Sequence, residues 1–144
     1  QKQLIDRVKV GFSLPELHEK SCELLCIKMI ELGLLQGEVA DLLHSKAYQK
    51  YYPHGIGHYL GLDVHDLGFS KREDKPVPFQ EGVIITVEPG LYVPLDDQSA
   101  PSELRGLGVR IEDDVLVTSG TPEVLTKIAP KEIDELEAIV GSKL

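Results

Sequence analysis

No apolar run in this sequence approaches the roughly 18 residues that a bilayer-spanning helix needs, and Gln1-Lys2-Gln3 is not the start of a signal peptide. Basic side chains are also few: 15 Lys and Arg stand against 24 Asp and Glu, a formal net charge of −9. Such a balance repels phosphate backbones, and no Lys/Arg cluster with interleaved aromatics overrides it, so neither nucleic acid nor anionic membrane is an expected partner. Only two cysteines occur, Cys22 and Cys26. An i,i+4 helical pair is badly placed for a disulfide, and two thiolates alone make no zinc site, so both read as small buried hydrophobes in a reducing, intracellular compartment. Internal repeats, low-complexity tracts and heptads are missing. So is an initiator Met, and the numbered chain is therefore expected to begin inside a longer one.

What remains is 144 residues, one domain at most, with 42% hydrophobic and 27% charged side chains, enough for an ordinary globular core. Leu4, Ile5, Val8 and Val10 have helical spacing and predict a helix ending at Gly11. Ser13, Pro15 and Glu16 form a capping box, opening a long helix that Gly33 stops. A further helix is predicted from about Glu38 to Lys50. After Pro53 the pattern changes to glycine punctuation, which reads as loop and strand. Val83 to Val87 predicts a strand buried on both faces, and Leu91 to Val93 a short one ended by Pro94. Asp96 to Gly106 reads as a surface loop. Gly108 to Glu112 and Val115 to Thr118 predict a pair of strands, with Glu123 to Thr126 as a third. Pro130 is expected to open a final helix with Ile133, Leu136, Ile139 and Val140 on one face.

Three of the five histidines, His54, His58 and His65, fall within a dozen residues. His54 and His58 have the spacing of a helical metal pair, but Gly55 and Gly57 argue for an extended or turning backbone that approaches a metal or substrate closely. Glu88 ends an almost wholly apolar strand, where a carboxylate near the core needs a cation, a metal or a proton. Glu112 has a similar position, and strand alternation puts it on one face with Arg110, so a plain surface ion pair is the competing reading there. One imidazole and two carboxylates suit manganese, cobalt or zinc. They leave a binuclear site short of ligands.

Three blocks carry a resemblance: His54 to Asp66, Thr86 to Tyr92, and Gly106 to Asp114. In this order and spacing they resemble the catalytic domain of aminopeptidase P, one of the pita-bread metallopeptidases, which include prolidase and the methionine aminopeptidases. The loop with Asp96, Asp97, Ala100-Pro101 and Leu104-Arg105-Gly106 is more similar to aminopeptidase P than to prolidase. The mitochondrial X-Pro aminopeptidases resemble the chain over nearly its whole length.

The resemblance implies an α+β pita-bread fold, with residues 1–144 a single partial domain: the C-terminal half of a catalytic domain, an antiparallel sheet covered by helices. It implies His58, Glu88 and Glu112 as metal ligands for two divalent ions, Mn²⁺ foremost, with Co²⁺ or Zn²⁺ as alternatives. His54 and His65 would stand around the substrate as catalytic groups that stabilise an oxyanion, while Glu88 manages the proton of a metal-bridging water and Tyr92 and Arg110 face the substrate. The implied partners are peptide or protein N-termini with proline second. Two aspartate ligands of the family would lie upstream, so the chain alone is expected to be inactive, to expose apolar surface, and to pair with the missing half-domain or with a copy of itself. An X-Pro dipeptidase and a non-catalytic peptide-binding module are the rival functions. A mitochondrial location follows from the resemblance, the cytoplasm is a second option, and Ser142-Lys143-Leu144 would form a peroxisomal address.

Overall fold

Proline and glycine set the boundaries of the longest helix. A computed structural model describes residues 1–68 and 71–141. Helix α1 (Lys2–Ile5) is shorter than its spacing predicts. Leu4, Ile5 and Val8 are buried but Val10 is exposed, because the chain leaves the helix to pair with the segment before β3, Gly11 N–H donating to Phe79 O (3.1 Å) and Phe79 N–H to Phe12 O (2.6 Å). Helix α2 (Leu14–Glu31) begins as read, with Ser13 as N-cap and Pro15 in its first turn. It ends at Gly33, whose φ of 71° lets Leu34 N–H reach Met29 O (2.8 Å) and Gly33 N–H reach Ile30 O (3.0 Å). Helix α3 (Val39–His44) stops short of the expected Lys50, because Lys46 turns left-handed (φ 57°) and a single 3-10 turn, Ala47–Lys50, follows. That turn delivers Tyr48, Tyr51 and Tyr52 into the interior.

The strands are short: β1 (Lys71–Arg72), β2 (Lys75–Pro76), β3 (Ile84–Val87), β4 (Gly90–Tyr92), β5 (Gly108–Arg110), β6 (Asp113–Leu116) and β7 (Glu123–Val124). All described pairings are antiparallel: β1 with β2, β3 with β6, β4 with β5, and β7 on the far side of β6. The two segments expected to pair with each other, Gly108 to Glu112 and Val115 to Thr118, therefore do not. Each pairs with the earlier half of the sheet, where the apolar faces of β3 and β4 need cover.

Two cores result. One joins Leu4, Val8 and Leu17 to Ile56, Phe79, Ile85, Val87, Val115 and Val117; the other joins Cys22, Cys26 and Met29 to Tyr48, Tyr51, Tyr52, Val93 and Ala100. Cys22 and Cys26 are free, buried thiols. Helix α4 (Ile133–Ile139) begins after Pro130 rather than at it. The intervening segment wraps instead around the Lys131 ammonium, which donates to Thr126 O and Ala129 O and pairs with Asp113 at 2.9 Å. The apolar face of α4 is exposed, with Ile133 and Val140 each about three-quarters accessible (73% and 76%). No described helix is long and apolar enough to cross a membrane, and Ser142 to Leu144 lie outside the described residues.

Candidate metal centre

The strand register brings the two glutamates together. Val87 stands opposite Asp113 and Gly90 opposite Arg110, so the same register carried through the gap puts Glu88 opposite Glu112. Pro89 has no N–H to continue the ladder, and the strands separate there, leaving only Ile111 N–H to Pro89 O at 3.4 Å. On the other edge of β3, residues 56–60 run alongside: Glu88 N–H donates to Ile56 O (2.8 Å), Thr86 N–H to His58 O (2.9 Å) and Leu60 N–H to Ile84 O (3.0 Å). His58 thus lies beside Thr86, one row out from the glutamates. Such close approach requires Gly57, since a Cβ there would fall 1.9 Å from Thr86 O.

His58, Glu88 and Glu112 each offer a ligand atom within 4.8 Å of the others, and theirs is the one such group among the described residues. The His58 Nδ1–H donates to Tyr59 O (3.0 Å), which leaves the Nε2 edge of the ring facing Glu88 Oε1 at 3.5 Å. A second carboxylate, that of Glu112, stands opposite the first. Like charges paired across strands are destabilising unless a cation lies between them. Burial, and next the charge of Glu88, push the Glu112 carboxyl above its ordinary range. Among the described residues Arg110 is the arginine paired with this group, its Nε 3.8 Å from Glu88 Oε2 and its side chain half exposed. Arg110 therefore pairs with Glu88, in place of the surface pair with Glu112 that alternation suggested. An imidazole with its remote N–H anchored on a carbonyl, plus two carboxylates, is a donor set that fits a divalent ion.

The remaining residues form two flanks. His54 donates Nδ1–H to Gly55 O (2.8 Å), and its Nε2 accepts the Tyr92 hydroxyl (3.1 Å). Both ring nitrogens of His54 thus have partners within the chain. The Tyr52 ring packs edge-on against His54 at 4.9 Å, and burial pushes its phenol well above the usual range; because the Ser21 hydroxyl donates to His18 O (2.7 Å), the Tyr52 O–H donates to Ser21 Oγ (3.1 Å). On the other flank the exposed His65 lies edge-on against His58, ring centroids 4.4 Å apart. The sequence pattern places Thr86 only within a buried strand. Its hydroxyl accepts from His58 N–H (3.0 Å) and donates to Glu88 Oε1 (3.0 Å). The signal for it was present, because i and i+2 of a strand share a face.

Residues 1–119 match metallopeptidase family M24. The chain belongs to that family. Among M24 relatives, Xaa-Pro aminopeptidase 3 of Homo sapiens is 44% identical over 129 residues, covering 90% of this chain and 25% of that protein. The mitochondrial intermediate cleaving peptidase 55 of Arabidopsis thaliana is 38% identical, over 98% of this chain and 26% of its own length. The solved structure of aminopeptidase PepP from Pseudomonas aeruginosa superposes with a TM-score of 0.89 at 40% identity, covering 94% of this chain and 30% of that one. The M24 chain has the α+β pita-bread architecture of these aminopeptidases, and it spans between a quarter and a third of the length of each.

Proposed function

We propose that this chain is the C-terminal half of the catalytic domain of a metal-dependent aminopeptidase that releases the N-terminal residue from peptides with proline second. His58, Glu88 and Glu112 hold its share of two divalent ions, Mn²⁺ foremost, and the remaining ligands come from outside these 144 residues. The observation that carries this reading is the Glu88–Glu112 opposition with His58 Nε2 beside it, in which two like charges cost stability unless a cation lies between them. The relatives named for Xaa-Pro cleavage support the substrate class. A divalent ion held there supplies a Lewis acid and lowers the pKa of bound water. The Thr86 hydroxyl holds one Glu88 oxygen while Arg110 faces the other, which orients the carboxylate for holding a proton. Tyr92 and His54 form one wall for the substrate and His65 the other. A purely structural module gains nothing from two opposed carboxylates, which weighs against the non-catalytic reading. The mitochondrial relative supports a mitochondrial parent enzyme.

Calorimetry with Mn²⁺ on this chain and on His58→Ala, run beside an X-Pro tripeptide cleavage assay, tests the proposal. The chain alone is expected to bind Mn²⁺ weakly, with affinity falling about tenfold or more in the variant. Cleavage is expected only when the missing half is supplied. Unchanged Mn²⁺ affinity in His58→Ala overturns the ligand assignment, cleavage by the chain alone overturns the half-site, and cleavage confined to dipeptides favours an X-Pro dipeptidase.

A further inference from the structure

Residues 61–67 carry His65, yet no core holds them. Leu62, Val64 and Leu67 all point to solvent, and the segment has neither helix nor strand. Its order comes from Asp66. Asp66 Oδ2 accepts Leu62 N–H (2.9 Å) and Oδ1 accepts Leu67 N–H (2.7 Å). The Asp66 N–H donates to Tyr59 O (3.1 Å), and its carbonyl accepts Gly68 N–H (2.8 Å). Two glycines keep room for this closure. A Cβ on Gly61 would fall 1.8 Å from Asp66 Oδ2, and one on Gly68 would fall 1.9 Å from the Tyr59 ring. The loop is therefore cinched onto Tyr59, the residue next to His58, and it touches the metal-ligand group through the His65 ring on the His58 ring.

We infer that Asp66 is a positioning residue: its carboxylate, by holding the amides of Leu62 and Leu67, fixes the loop that sets His65 against the metal-ligating edge of His58. Four backbone and side-chain ties converge on this one residue, whereas His65 itself is exposed and packs edge-on against His58. Calling the outcome catalytic rests on the proposed function; the positioning itself does not.

Two experiments separate the two claims. The first is ring-proton NMR of the histidines in this chain without metal. The shift that His58 imposes on His65 is expected to vanish in Asp66→Ala and to survive in part in Asp66→Asn, which keeps one acceptor oxygen, while the core methyl signals stay in place. If Asp66→Ala does not fold, Asp66→Asn decides: a His65 shift identical to the parent chain's overturns the inference. The second is a kinetic cycle in the complete enzyme. Asp66→Ala is expected to lower kcat about tenfold or more with little change in KM, and to cost nothing further when His65 is already alanine. Independent, multiplying losses would show that Asp66 acts other than through His65 and would overturn the inference. A lost His65 shift in an enzyme that cleaves no X-Pro peptide leaves the positioning standing and removes the proposed function; a retained shift in an active enzyme does the reverse.

Discussion

Thr86 uses one hydroxyl in two directions, and the geometry of the candidate centre depends on both. The backbone N–H of His58 is anchored on it, and it is the donor that holds Glu88 Oε1. Thr86→Val keeps the shape of this fully buried side chain but leaves His58 N–H without a partner, a loss of about 1–3 kcal/mol. It also frees Glu88 to rotate, so Mn²⁺ affinity is expected to fall about 10- to 100-fold, as for other residues that orient a ligand. Urea denaturation reads the first effect and calorimetry the second. Native-like Mn²⁺ binding in the variant would mean that the β3 backbone alone orients Glu88. The same anchoring explains Gly57, whose backbone passes too close to Thr86 for any side chain.

At the scale of elements, what was legible in the sequence follows from how local each signal is. Helix α2 reads directly because Ser13, Pro15, Glu16 and Gly33 all act within a turn of its ends. Ser13 accepts Glu16 N–H at 3.4 Å, and its hydroxyl is also bonded to the Glu16 carboxylate. Ser13→Ala is accordingly expected to cost about 1 kcal/mol, measured by thermal or chemical denaturation. A loss near zero would mean that the Ser13–Pro78 backbone bridge, not the cap, fixes the start of the helix. Strand pairing is another matter. Glu88 and Glu112 were each visible as carboxylates at strand ends, but their opposition depends on β3 finding β6 and β4 finding β5 across the long loop between them, and periodicity carries no information about partners. Lys46 was equally unreadable, because nothing in a lysine announces a left-handed turn. The apolar stripe of α4 was readable, and it lies exposed in the structure.

The whole molecule places its site on the seam between two cores. Tyr51 and Tyr52 belong to one and Ile56 to the other, so the segment bearing His54 and His58 is held at both ends by packing. The β4 side is clamped in addition by an ionic knot. Asp97, in the loop between β4 and β5, accepts the hydroxyl of the fully buried Tyr51 (2.7 Å), pairs with Lys50 (2.8 Å), and takes Ser99 N–H (3.0 Å). The Lys50 ammonium foremost, with the Ser99 and Tyr51 hydroxyls, holds the Asp97 carboxyl well below the ordinary carboxylate range. A carboxylate whose folded pKa is depressed binds fewer protons folded than unfolded, so it stabilises the fold above the unfolded value of about 4. That contribution fades as pH falls below this value and is gone only beneath the depressed folded value. Asp97→Asn should therefore be less stable than the parent chain at pH 7, and the gap between them should narrow steadily as the pH is taken from about 5 toward 2. Denaturation midpoints measured across that range check it. A gap that stays constant with pH would mean that Asp97 contributes through hydrogen bonds that asparagine cannot replace rather than through its charge, and the knot would then be a matter of shape and not of electrostatics.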